Sequence, residues 1–232
     1  MNVLYIGAHP DDAEVSCCGT LAKCVARGDT VTVCHVANGN MGHEIILPDE
    51  LREIRREEAR KAGAMAGINV VTLDIGDLRV DGASMEQRDK VAKLICEYQP
   101  DFIITHPPED YMPDHRAVSK LVFDASFTAS VPRYMGGEKA KVTPIYYCDA
   151  LAGIGFIPTE YVDVSDFMEL KLNMLECHES QLKWMRDHDN LDFADFVSTL
   201  AKFRGYQCGV PYAEAFRQEL AWPKLVATRL LP

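Results

Sequence analysis

Short apolar runs rich in β-branched residues alternate with longer stretches of helical periodicity through the first half of the chain, and few architectures accept that rhythm. NVLYIGA leads to EVSCCGTLAKCVARG, TVTVCHVA to LREIRREEARKAGAMAG, NVVTLDI to MEQRDKVAKLICEYQ, and DFIITH to DHRAVSKLVFDASF. Strands joined through helices run parallel and are covered on both faces. The expected fold is therefore α/β, a Rossmann-like three-layer sandwich with a mainly parallel sheet. Gly28 and Gly67 stand where helices should end, with Asp29 and Asn69 leading into the next strands. Beyond Pro144 the pattern changes. Strands are expected at IYYCDA and YVDV, one helix near DFMELKLNMLECHESQL, and then a more helical tail. This smaller C-terminal strand and helix portion would complete one domain over residues 1–232, since no repeat, low-complexity stretch or linker interrupts the chain.

Composition narrows the partners. A net charge of -11 and a pI near 5.1 oppose nucleic acid and anionic membrane surfaces, which the field of the whole molecule would repel, and favour a small neutral ligand. The eight cysteines are scattered without a C-x-x-C pair, and Cys24, Cys34 and Cys148 lie among apolar neighbours, as buried thiols in a reducing compartment do. MNVLYIGAHP has no basic leader region, and no apolar stretch approaches the ~20 residues that cross a bilayer, so a cytoplasmic location is expected.

In open α/β sheets ligands bind beyond the carboxyl ends of the strands, which directs attention to AHPDDAE, NGNMG and HPPEDYMPDH. AHPDDAE crowds His9, Asp11, Asp12 and Glu14 into one strand-to-helix turn, where carboxylates push their titrations apart and a cation would relieve them. HPPEDYMPDHRA adds His106, Glu109, Asp110, Asp114 and His115 at the end of another strand. Helix capping accounts for a single aspartate in each, with Asp114 as the cap before HRAVSKLV. It does not account for both clusters at one sheet edge. Nitrogen and oxygen ligands of this kind suit zinc, and three protein ligands leave a place for water. Gly153 and Gly155 in GIGF do not make a dinucleotide site, because the third glycine is missing and Pro158 interrupts the required helix.

With AHPDDAE, NGNMG, the R-x-x-E of IRREEA, DYMPDHRA, HESQ and PYAEAF in order, the chain resembles the LmbE-like (PIG-L) metal-dependent deacetylases nearly end to end. Members of that family remove acetyl groups from substrates containing N-acetylglucosamine. The resemblance implies His9, Asp12 and His115 as ligands of zinc, or of another divalent metal, and Asp11 as general base, an apportionment of the two aspartates that spacing alone does not make. It further implies amide hydrolysis by zinc-activated water, an N-acetylated sugar as substrate, and assembly into a homo-oligomer. Arg55 matches an arginine that contacts substrate hydroxyls, although RREEARK reads equally as a solvated helix face. His178 corresponds to a histidine near the pocket; on a helix with Leu175 and Leu182 it could instead be a packing residue. One position departs from the pattern. Met112 stands where many members carry a histidine able to stabilise an oxyanion, and methionine has no hydrogen to donate. Tyr111, His106 or the metal are the substitutes, and Asp114 is expected to orient His115. Hydrolysis of another N-acyl glycoside or thiol conjugate, and zinc or sugar binding without turnover, remain the alternative readings.

Overall fold

The computed structural model describes residues 1–232. Strands β1 (Asn2–Gly7), β2 (Thr30–Ala37), β3 (Asn69–Ile75), β4 (Phe102–Thr105) and β5 (Ile145–Cys148) run parallel, in the order β3-β2-β1-β4-β5. The sheet continues through β7 (Ala213–Gln218) to β6 (Glu160–Asp163), both contacts of β7 being antiparallel. β1 and β2 are buried beyond their first residues, which is why they read as continuous apolar runs rather than alternating ones.

Opposite side chains of β1 feed two cores. Leu4 and Ile6 pack with Val91, Ile95, Val118 and Leu121 from α4 (Met85–Tyr98) and α5 (Pro113–Thr128). Val3 and Tyr5 pack on the other face with Leu21 and Cys24 of α2 (Cys18–Ala26) and Ala62 of α3 (Pro48–Met65). The α/β sandwich expected from the alternation is thus present. No helix is long and apolar enough to cross a membrane.

Three local features differ from the sequence reading. The first helical stretch divides at Cys17 (φ -152°, ψ 9°) into α1 (Asp12–Ser16) and α2. The single helix expected over DFMELKLNMLECHESQL is two, α6 (Met168–Glu176) and α7 (Glu179–Asp189), with His178 at the break. The tail contains α8 (Phe193–Cys208) but then supplies β7, where a more helical segment was expected. Alanine and glutamate are poor strand formers, and Ala213, Glu214, Ala215 and Phe216 are all buried, so neither propensity nor alternation announces this strand.

Candidate metal centre and active site

Parallel pairing of β1 with β4 sets Ile6 opposite Thr105 and brings the two acidic, histidine-containing turns together. His106 Nε2 accepts the Ala8 N–H at 2.9 Å, stitching the turns directly. His9, Asp12 and His115 each offer a ligand atom, all within 4.8 Å of one another. His9 Nδ1 lies 3.6 Å from Asp12 Oδ2, and His115 Nε2 lies 3.3 Å from Asp12 Oδ1.

The surroundings of these nitrogens fit a cation. His115 Nε2 is buried and makes no aligned hydrogen bond, Asp12 lying off its axis. Behind the ligand atoms, His9 Nε2 is 3.1 Å from Asp114 Oδ2 and His115 Nδ1 is 3.1 Å from Asp110 Oδ1, the latter also off axis. This corrects the expected pairing: Asp114 faces His9, accepting the Leu78 N–H as well, and Asp110 is the carboxylate beside His115. His106, Asp110 and His115 also converge, but the His106 Nε2 lone pair is already committed to Ala8.

Charge follows the same geometry. Burial pulls the His9 imidazole down, but hydrogen bonds to Asp114 and Asp12 outweigh it and hold its pKa up at about 9. Burial likewise opposes protonation of His115, and Asp12 and Asp110 raise it to about 10. Asp12 is driven well below the usual carboxylate range because His115 and His106 overcome its burial. Two imidazoles that attract protons this strongly mark a field that also attracts a metal dication.

Asp11 is arranged differently. It precedes α1 in a left-handed conformation (φ 116°, ψ -21°), and burial raises its carboxyl to about 6 against the pull of Arg55. Arg55 Nη2 lies 3.1 Å from Asp11 Oδ1, and the guanidinium also donates to the carbonyls of Pro10 and Gly39. Gly39 (φ 77°) has to be glycine, since a Cβ there would sit 2.6 Å from Arg55 Cδ. Arg55 is 2% exposed, so the solvated-face alternative does not describe it. Glu58, the partner in R-x-x-E, accepts from the Ser180 N–H and hydroxyl at 2.8 and 2.7 Å, physically joining IRREEA to HESQ.

The cavity above these groups has a volume of about 430 Å³. His9, Asp11, Asp12, Arg55, Tyr111, Asp114 and His115 all line it. Tyr111 packs edge-on against His115, and burial with the nearby Asp12 and Asp110 charges lifts its phenol to about 12, so it remains an O–H donor at neutral pH. Met112 lines the wall without a donor. His178 does not reach the cavity. It is fully buried, with Nε2 3.5 Å from Glu14 Oε2, so the expected substrate contact gives way to a position behind the site. Glu214 ties β7 to two helices, accepting the Gly19 and Thr20 N–H groups and the Lys171 ammonium. Asp77, which no sequence pattern singles out, accepts the Gly39 and Met41 N–H groups and thereby shapes the NGNMG turn. Gln181 and Trp184 also line the cavity, and only the HESQ segment hinted at the first.

The family model described as PIG-L: GlcNAc-PI de-N-acetylase matches residues 4–126. Diacetylchitobiose deacetylase of Thermococcus kodakarensis is 29% identical over 226 residues, covering 93% of this chain and 82% of the relative. 4-Oxalmesaconate hydratase of Pseudomonas putida is 25% identical over 191 residues, covering 78% of this chain and 74% of the relative. Among solved structures, N,N'-diacetylchitobiose deacetylase from Pyrococcus horikoshii superposes with a TM-score of 0.82 at 28% identity, covering 94% of this chain and 83% of that one.

Proposed function

Since this chain belongs to the PIG-L family of de-N-acetylases, we propose that it removes the acetyl group from an N-acetylated amino sugar by metal-assisted hydrolysis. The observation that carries this reading is Asp11, a buried carboxyl held near pH 6 beside a His9, Asp12 and His115 ligand set. That is the range a general base needs at neutral pH.

His9, Asp12 and His115 would hold the zinc, which when bound would supply Lewis-acid activation of water and of the acetamide carbonyl. Asp11 takes the proton from the attacking water as its oxygen bonds to the carbonyl carbon. The C–N bond then breaks, Asp11 returns the proton to the departing amine, and acetate is the second product. Arg55 restrains the Asp11 carboxylate through its 3.1 Å contact, and Asp114 and Asp110 orient the two imidazoles. The Tyr111 hydroxyl donates to the developing oxyanion in place of the histidine that Met112 replaces.

Similarity to a hydratase favours a second reading, addition of water to an unsaturated carboxylate. The cavity opposes it. Its one lining arginine is already engaged by Asp11 and no lysine lines the space, so no free guanidinium or ammonium is available to pair with a carboxylate substrate.

Acetate release across a panel of N-acetylated sugars, with and without a chelator, tests the proposal. Asp11→Asn should lower kcat by roughly 10²–10⁴-fold with folding retained, since asparagine tolerates the left-handed backbone. Full deacetylation by metal-free Asp11→Asn protein would overturn it. For the setting, a reducing cytoplasm is supported by eight free cysteines, six of them buried. A homo-oligomer is supported by exposed Ile154, Ile157 and Tyr206. Sedimentation of the purified protein tests the latter.

A further inference from the structure

The chain carries a net charge of -11, yet one pocket away from the catalytic cavity is lined by guanidiniums and by no carboxylate. It lies between α3 and the edge strand β3 and has a volume of about 220 Å³, below the ~300–1,000 Å³ of sites that enclose drug-sized ligands and in the range of a small ion or a short ester of one. Arg52, Arg56 and Arg60 recur every four residues along α3, so they share one face and set three like charges at the mouth. Buried Pro10 and His35 close the inner end.

These arginines also meet carboxylates, Arg52 and Arg56 reaching Asp74 and Glu53, and Arg60 reaching Glu57. None of the three acids lines the pocket, and every pair reaches solvent, where an ion pair contributes little. Arg56 Nε and Arg60 Nη1 take part in none of them. A dianion between the three guanidiniums gains from all of them at once and relieves their mutual repulsion. His35 points to the same ligand independently. It is 3% exposed and its Nε2 has no hydrogen-bond partner, a costly state for a buried polar nitrogen. Burial keeps the ring neutral at physiological pH, and a neutral imidazole still has one N–H to donate to an oxyanion. Thr72 Oγ1 accepts the Asp74 N–H, which leaves its own hydroxyl hydrogen to give at the mouth.

We propose that this pocket binds a phosphate dianion, free or as the end of a phosphomonoester, between the α3 guanidiniums and the His35 imidazole. Pro10 stands between the pocket and the catalytic cavity, its carbonyl accepting from the Arg55 that holds Asp11. Occupancy does not depend on what the catalytic cavity hydrolyses.

Calorimetric titration of metal-loaded protein at neutral pH and low ionic strength, with inorganic phosphate and separately with glycerol 3-phosphate, tests the site. At least one probe should bind saturably with a Kd on the order of 1 mM. Tighter binding of inorganic phosphate identifies the free ion as the occupant, and tighter binding of glycerol 3-phosphate identifies a phosphomonoester. Arg56→Gln/Arg60→Gln protein should bind the preferred probe at least roughly tenfold more weakly with its metal content unchanged, and His35→Leu should weaken binding by a smaller factor. The two arginines are exposed, so the double variant keeps the fold and decides the matter even if His35→Leu does not fold. Equal affinity in the double variant would place phosphate at the catalytic metal instead and overturn the proposal. No saturable binding of either probe by the unmodified protein up to about 20 mM would overturn it as well.

Discussion

Asp11 occupies a backbone region that costs non-glycine residues on the order of 1–3 kcal/mol, and it does so at the point where the chain turns from β1 into α1. That turn lets adjacent aspartates serve opposite ends of one site. Asp12 accepts the His9 N–H at 2.6 Å and stays ionised, while Asp11 meets Arg55 and stays near neutrality in its titration. A second buried group carries a measurable signature. Burial holds the His35 imidazole down at about 4 from 6.5, with Glu14 opposing that shift. Its folded pKa lies below its unfolded one, so the unfolded chain binds the extra proton as pH falls from 6.5 to 4, and stability is lost across that window. At ~1.4 kcal/mol per pKa unit the loss is roughly 3 kcal/mol. Denaturant titrations of metal-loaded protein at pH 7.5 and 4.5 should show His35→Gln losing correspondingly less than the unmodified chain. Equal losses would remove His35 as the cause.

Among the elements, β7 does most to join the C-terminal portion to the sheet. It inserts between β5 and β6 and carries Glu214, whose carboxylate lies 2.6 Å from Lys171 Nζ of α6 and accepts two N–H groups at the start of α2. Both members of the ion pair are nearly inaccessible, at 3% and 1% exposure. Removing one partner of such a pair leaves a buried charge uncompensated. Glu214→Ala should therefore cost ~3–5 kcal/mol, read as a fall in denaturant midpoint. A change below ~1 kcal/mol would mean that Lys171 finds another partner or water. The break between α6 and α7 has a comparable logic. Leucines spaced three and four residues from His178 promise one helix, yet Glu58 of α3 captures the Ser180 N–H and hydroxyl and so caps a new helix at Glu179. An external carboxylate cannot be seen in local periodicity.

Across the whole molecule, the proposed ligand set links the turn after β1 and the first residue of α1 with the first turn of α5. A metal bound only to the folded form adds stability by mass action, ~2.7 kcal/mol at a hundredfold excess over Kd. Chelation should abolish acetate release and lower Tm by roughly 5–10 °C at this chain length, and zinc should restore both. An unchanged Tm and activity after verified metal removal would contradict the metal centre. Strands β1 to β6, the places of most covering helices and the chemical character of the two loops were legible in the sequence, because periodicity and crowded turn residues are local properties. His9 and Asp12 needed only one turn to be recognised together. His115 needed the pairing of β1 with β4, and the matching of Asp114 to His9 and Asp110 to His115 needed the orientation of α5. Tertiary structure alone decided those partners, the burial of Arg55 and His178, the strand β7 and the place of Trp184 at the cavity, because each depends on residues far apart in the chain packing against one another.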